Sequence, residues 1–212
     1  EIWAPSVVKI GATYWVYFGG RRVGATDHAN DQCIGRASSN SPLGPFSPES
    51  GPIYCGLRRT DSGANWWGHG ALDPEVFRAP DGSLHLLVAL SRTTDNIGVV
   101  PLDGAGRVIG GGNATPTILV RQSTGWHDGS EDGRFNTSYA FLENPSMVYD
   151  ASTRTYLLFY SAGRWNTQYY NTGFARCERP TGPCTVDERA PFLKGGGPRT
   201  GPGGLTVFRD PS

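Results

Sequence analysis

An internal repeat with a period near 70 residues constrains the fold of this chain more than any other feature. Each copy places a proline at the start of a short apolar run, continues through a polar turn and returns in a second apolar run. The prolines are Pro5, Pro74 and Pro145, which lie 69 and 71 residues apart. The runs have the length of strands, and Gly and Asp between them suit hairpin turns. The runs span 3–8 with 13–18, 72–77 with 83–88, and 142–148 with 155–160.

A second repeated element supports the same period. Gly35-x-Ala37 with Pro42-x-Gly44-Pro45 matches Gly173-x-Ala175 with Pro180-x-Gly182-Pro183, and the copies are 138 residues apart. Several short strands repeated at this spacing predict the radial blades of a β-propeller. The alternative is a β-sandwich whose internal similarity is coincidental, which the matched offsets disfavour.

The count of repeats predicts an incomplete ring. Residues 201–212 resemble the opening of another unit, so the sequence holds about three blades and part of a fourth. Propellers close with roughly four to eight blades. We therefore expect residues 1–212 to be a single all-β domain, a partial propeller with missing material at both ends.

Composition agrees with many short strands and narrows the classes of partner. Glycine and proline account for 30 and 16 of the 212 residues, and no long stretch has the apolar spacing of a helix. The formal net charge is zero, with 19 basic and 19 acidic residues. No basic cluster favours a nucleic acid or an anionic membrane, and no apolar run is long enough to span a bilayer.

The four cysteines predict two local disulfides. Cys33 and Cys55 flank one loop rich in Pro and Gly, and Cys177 and Cys184 flank another. The sequence contains no Cys-x-x-Cys pair, which argues against a zinc ribbon. Disulfides favour an oxidising compartment and hence a secreted protein. The alternative is four buried free thiols.

Two carboxylates open predicted inner strands. Asp73 directly precedes Pro74 and Glu143 lies two residues before Pro145, and inner strands of a propeller open at one mouth of the central channel. Hydrolysis of a glycosidic bond needs a pair of carboxyl groups. Both residues could instead be turn caps. The apolar neighbours Phe141, Leu142 and Met147 favour a partly buried Glu143 that holds its proton.

These strand openings resemble glycoside hydrolase family 43. The similarity extends in order through almost the whole chain and includes 33–38, 44–46, 157–161 and Gly201-Pro-Gly-Gly204. The resemblance implies a secreted, five-bladed propeller that cleaves arabinofuranosyl or xylosyl linkages of arabinan or arabinoxylan with inversion. The activity that it favours is that of an α-L-arabinofuranosidase, with a β-xylosidase or an arabinanase as relatives.

The resemblance also assigns roles to single residues. Glu143 matches the general acid, and Asp73 matches the carboxylate that orients the acid and raises its pKa. The family's general base is an Asp that opens the first blade, and it would precede Glu1, so this sequence has no counterpart. Ser6 stands where many members have Asp. Gly204 stands where many members have a histidine that helps to hold a metal ion, so we predict no metal and no other cofactor.

Several further residues are candidates for contact with a carbohydrate, since aromatic faces stack on sugar rings. They lie at a strand opening or in loops near the predicted mouth, and they are Trp3, Trp66, Trp67, His69, Asn136, Tyr139, Trp165 and Tyr169. Gln168 and Tyr170 share the last of these loops. We expect a monomer that binds a carbohydrate substrate. The missing base leaves two alternatives: an inactive partial enzyme, or a carbohydrate-binding propeller without catalysis. A purely structural repeat scaffold would leave the carboxylates unexplained.

Overall fold

The computed structural model describes residues 2–21, 32–56, 70–90, 96–123, 125–128, 141–187, 191–196, 198 and 200–208. Within them the chain forms twelve strands, one short 3-10 turn at Gly125–Asp128 and no α-helix. No helix in this described part is long and apolar enough to cross a membrane. The strands are β1 Ile2–Ile10, β2 Thr13–Arg21, β3 Gln32–Ser39, β4 Ser47–Pro48, β5 Ala71–Arg78, β6 Leu84–Leu90, β7 Asn96–Leu102, β8 Thr117–Val120, β9 Leu142–Asp150, β10 Thr155–Ala162, β11 Asn171–Cys177 and β12 Cys184–Val186.

The strands form three antiparallel sheets of four strands each, in the orders β1-β2-β3-β4, β5-β6-β7-β8 and β9-β10-β11-β12. The three repeated hairpins of the sequence are the first two strands of these sheets. The first strands β1, β5 and β9 lie beside one another across the sheets. This is the arrangement of propeller blades around an axis, and it confirms the predicted fold class.

Each inner strand is interrupted by a β-bulge at the same place. The bulged residues Ala4, Asp73 and Asn144 have φ angles of 42°, 48° and 47°, and a proline follows each of them. The pairing register shifts at these points in all three sheets. Proline has no N–H to donate, so the regular ladder cannot continue through it.

The bulges fix which residues are equivalent between the sheets. Asn144 corresponds to Asp73, whereas Glu143 corresponds to Leu72 and to Trp3 in the neighbouring inner strands. The repeat in the sequence predicts that Asp73 and Glu143 share one opening position. The structure corrects this prediction by one residue, because the equivalent of Asp73 is Asn144. The two carboxylates therefore leave their strands from different positions.

Residues 200–208 follow the third sheet without forming a strand of their own. The segment nevertheless lies against β9, because the Val207 N–H donates to the Ser146 hydroxyl over 2.9 Å. The predicted opening of a fourth blade thus lies beside the third inner strand, but it lacks sheet pairing in this described segment.

The repeated glycines accommodate an aromatic ring. Gly35 and Gly173 lie directly opposite Phe18 and Tyr160 on the neighbouring strands. A Cβ added at Gly35 would lie 2.7 Å from the Phe18 ring, and one added at Gly173 would overlap the Tyr160 ring. Gly98 has the same place in the second sheet, which the sequence comparison missed. The glycine repeat therefore reflects packing of a side chain over the third strand.

Two disulfides hold the outer strands and their loops, and both predicted pairings are confirmed. Cys177–Cys184 joins β11 to β12, and Cys33–Cys55 joins the start of β3 to the segment after β4. The described residues include no free cysteine.

Two hydrophobic clusters fill the spaces between neighbouring sheets. One lies between the first and second sheets and includes Tyr17, Ile34, Leu86 and Val100. The other lies between the second and third sheets and includes Leu87, Ile97, Leu158, Tyr160 and Ala175. Burial of both faces of the second sheet explains why all seven residues of β6 are buried.

Polar contacts also join the first two sheets. The Tyr17 hydroxyl donates to the Gly106 carbonyl over 2.7 Å, and Arg36 donates to the Ala105 carbonyl over 2.8 Å. Arg36 is 2% exposed and also pairs with Glu49 at 2.9 Å. These contacts hold the outer part of the blades and so support the position of the inner strands.

We expect Gly173→Ala to destabilise the fold, since the added methyl group overlaps the Tyr160 ring, at a cost of about 1–3 kcal/mol. Gly104→Ala is the matched control, because a Cβ there meets nothing within 4 Å. Chemical denaturation of the variants measures the difference in unfolding free energy. Equal stability of the two variants would contradict this packing role.

Candidate functional site

The bulged inner strands surround a cavity of about 310 Å³. Its described lining comes from β1, β5, β9 and the segment after the third sheet, and it contains no aromatic ring. The lining residues are Ala4, Pro5, Ser6, Val7, Asp73, Pro74, Glu75, Asn144, Pro145, Leu205 and Thr206. Asp73 and Glu75 are the carboxylates in this lining. Glu143 accepts a hydrogen bond from Tyr170 and directly precedes the lining residue Asn144 in the sequence.

Asp73 connects the second inner strand to the third. Its Oδ2 accepts the backbone N–H of Asn144 over 3.0 Å. Burial raises the pKa of Asp73, and the hydrogen bond from Asn144 partly opposes that rise. Asp73 therefore holds the backbone at the residue that directly follows Glu143.

A second set of hydrogen bonds holds the Glu143 side chain. The Tyr170 hydroxyl donates to Glu143 Oε2 over 3.0 Å, and Asn144 Nδ2 donates to the Tyr170 oxygen over 2.6 Å. Burial raises the pKa of Tyr170, and the charge of Glu143 adds to the rise. The phenol thus stays protonated and acts as a donor. Asn144 joins this group to Asp73, so the two candidate carboxylates are linked through one residue.

Glu75 is a buried carboxyl group that the sequence analysis missed. Its Oε1 accepts the Met147 N–H over 2.8 Å, and its carboxyl group also bonds the Ser146 hydroxyl. Burial raises the pKa of Glu75 to about 7. A signal was available in the sequence, since Glu75 is a charged residue two positions after Asp73 in a predicted inner strand.

The candidate sugar-binding residues fall into two groups. Trp165 is 73% exposed in the loop after β10, and the same loop ends at Tyr170. Tyr169 is half-buried, and its hydroxyl accepts a hydrogen bond from Gln168 over 2.6 Å. Trp3 is partly buried at the position equivalent to Glu143. The remaining predicted residues lie outside the described part of the chain: Trp66, Trp67, His69, Asn136 and Tyr139.

The two positions that depart from the family pattern are both described. Ser6 lines the cavity, and Gly204 is exposed and donates its N–H to the Ser161 hydroxyl over 2.7 Å. Among the described residues no group of three or more His, Cys, Asp or Glu side chains could hold a metal ion.

Comparison with known proteins identifies the relatives of this fold. The family model of the glycosyl hydrolases family 43 matches residues 1–212. The solved structure of a thermostable family-43 glycoside hydrolase is 21% identical, with a TM-score of 0.71 over 98% of this chain and 61% of that chain. No curated protein matches at a significant level of sequence similarity.

Two further solved structures have the same fold. An endo-arabinase from Bacteroides thetaiotaomicron is 20% identical, with a TM-score of 0.64 over 89% of this chain and 61% of that chain. An α-L-arabinofuranosidase from Lactobacillus brevis is 16% identical, with a TM-score of 0.64 over 90% and 55%. The chain therefore spans 55–61% of the length of these three solved relatives.

We expect the stability of the fold to decrease as the pH rises through the titration of Glu75. The unfolded state loses its proton near the ordinary pKa of 4.5, whereas the folded state keeps it up to about 7. The contribution of Glu75 to the free energy of unfolding is fully present below pH 4.5. It decreases by roughly 3 kcal/mol once Glu75 is ionised in both the folded and the unfolded state.

Glu75→Gln keeps the side chain neutral and an oxygen that accepts the Met147 N–H. This variant should therefore gain stability relative to the unchanged chain between pH 4 and pH 8. Unfolding free energies at both pH values measure the gain, with Glu178→Gln at an exposed position as the control. A pH dependence that is the same in all three proteins would argue against a buried, protonated Glu75.

Proposed function

The chain belongs to glycosyl hydrolases family 43, and on that premise we propose that it hydrolyses arabinofuranosyl or xylosyl linkages of plant polysaccharides. The proposed activity is that of an α-L-arabinofuranosidase on arabinan or arabinoxylan. Support for the sugar class comes from the solved relatives, which are described as an endo-arabinase, an α-L-arabinofuranosidase and an endo-1,4-β-xylanase. Two disulfides fit a secreted protein.

The observation that carries the proposal is the hydrogen bond between Asp73 and the residue next to Glu143. In the proposed mechanism Glu143 is the general acid that protonates the leaving oxygen. Asp73 orients the acid through the Asn144 N–H, at 3.0 Å, and its negative charge disfavours early loss of the acid's proton. Glycoside hydrolases usually use two carboxyl groups whose different environments give them different pKa values and different roles.

The family resemblance identifies no residue among 1–212 as the general base of the proposed reaction. In an inverting reaction this carboxylate activates a water molecule on the face of the sugar opposite to the leaving group. We propose that an Asp in a preceding blade supplies it. Ser6, which stands where many family members have Asp, is the observation that favours the second candidate, a propeller that binds carbohydrate without cleaving it.

Activity assays separate the two candidates, and they use the chain within the longest product of its gene. We expect Glu143→Gln to lower kcat/KM on aryl arabinofuranosides or xylosides by about 10²–10⁴-fold, the usual contribution of a general acid. Asp73→Asn retains an acceptor for the Asn144 N–H and loses the charge, so its loss should be smaller, roughly tenfold to a hundredfold.

Glu178→Gln serves as the control, because this glutamate lies exposed in the turn after β11. NMR of the first-formed sugar anomer tests for inversion. An active protein that tolerates Glu143→Gln would contradict the assignment of the acid. Binding of arabino-oligosaccharides without any turnover would favour the non-catalytic candidate.

Trp165 is the exposed aromatic residue that we propose for sugar stacking. Its loop ends at Tyr170, which contacts Glu143, so the indole lies on the same loop as a residue of the proposed acid group. Trp165→Ala should raise KM about tenfold with kcat nearly unchanged, since such a contact contributes about 1–1.5 kcal/mol. Leu43→Ala, at a residue 94% exposed in the first sheet's outer loop, is the control. An unchanged KM would exclude Trp165 from the binding site.

A further inference from the structure

Tyr170 lies at the centre of the hydrogen bonds around the proposed acid, whereas the sequence pattern considers it only for contact with a carbohydrate. Its side chain is only 7% exposed, although it ends a polar loop. Its hydroxyl contacts Glu143 Oε2 at 3.0 Å and Asn144 Nδ2 at 2.6 Å. A buried phenol in contact with both residues affects the acid directly.

The direction of each hydrogen bond follows from the chemistry of the groups. An amide nitrogen such as Asn144 Nδ2 can only donate, so the Tyr170 oxygen accepts there. The Ser161 hydroxyl also forms a hydrogen bond with the Tyr170 hydroxyl. Ser161 is itself fixed, since its oxygen accepts the Gly204 N–H over 2.7 Å. The one phenol proton is thereby directed to Glu143 Oε2.

The ring of Tyr170 is held in place by glycines of the Gly201–Gly204 segment. A Cβ at Gly203 would overlap the Tyr170 ring, and one at Gly201 would lie 3.6 Å from the Tyr170 Cβ. A larger residue at Gly203 would therefore displace the phenol from Glu143. The glycines of this motif thus have a physical reason to be there, independent of any metal.

We propose that Tyr170 is a positioning residue for the acid: by donating to Glu143 Oε2, it fixes the carboxyl group and keeps the transferable proton on Oε1. A protonated carboxyl group carries its proton on one oxygen, and the oxygen that accepts from Tyr170 is the other one. Tyr170 itself gives no proton to the substrate. This proposal rests on the proposed role of Glu143 as general acid.

The kinetic test compares Tyr170→Phe with Tyr156→Phe. The control removes a hydroxyl from the other end of β10, where the ring packs against Phe77 and Tyr149. We expect Tyr170→Phe to lower kcat/KM about 10–100-fold on glycosides with poor leaving groups, which need the acid. Glycosides with 2,4-dinitrophenol as leaving group need little acid assistance and should lose less than about threefold. Equal losses on both substrates, or no loss on either, would overturn the proposal.

A second measurement does not depend on activity. The hydrogen bond that Tyr170 donates stabilises the ionised carboxylate, so its loss should move the titration midpoint of Glu143 to a higher pH. Carboxyl ¹³C NMR follows this midpoint, with Glu143→Gln used to assign the resonance and Tyr156→Phe as the control. An unchanged midpoint in a folded Tyr170→Phe protein would refute the contact.

These outcomes separate the present proposal from the proposed function. If Glu143→Gln leaves hydrolysis intact, the assignment of the acid fails whatever Tyr170 does. If Glu143→Gln abolishes turnover of poor leaving groups and Tyr170→Phe changes neither the leaving-group dependence nor the Glu143 midpoint, only the positioning role fails.

Discussion

A residue in the left-handed backbone region, followed by proline, interrupts every described inner strand, and the site depends on this constraint. Asn and Asp tolerate positive φ better than most residues, and two of the three bulges use them. Each such residue costs of order 1–3 kcal/mol, which the packing between the sheets offsets. In return the bulge releases the Asn144 N–H from the sheet, and that freed donor is the one that Asp73 accepts.

The second inner strand holds the third through two carboxyl groups at successive levels. Asp73 accepts the N–H of Asn144, and Glu75 accepts the N–H of Met147. Within the described residues β5 and β9 belong to separate sheets, so these hydrogen bonds join the two strands in place of sheet pairing. Burial raises the pKa of both carboxyl groups, because removing an ionised carboxylate from water costs free energy. Hydrogen bonds connect Asp73 to Glu143 through Asn144 and Tyr170.

The parts of the structure that follow local rules could be predicted from the sequence. Proline positions and turn residues gave the three hairpins, and the loop composition gave both disulfide pairings. The contacts around Glu143 could not be predicted, because Tyr170 reaches it across 27 residues and its orientation depends on packing against Gly203. The equivalence of Asp73 and Asn144 also needed the backbone angles. In the sequence alone, an extra residue before Pro145 is indistinguishable from a shift in the strand opening.

The equivalence of Trp3, Leu72 and Glu143 means that one repeated backbone position carries three different side chains. The three copies of this backbone position carry an indole, an aliphatic chain and a carboxylic acid. A symmetric scaffold thus carries an asymmetric set of functional groups. The backbone of the inner strand is the same in all three sheets, so the side chain at this position differs while the architecture stays the same.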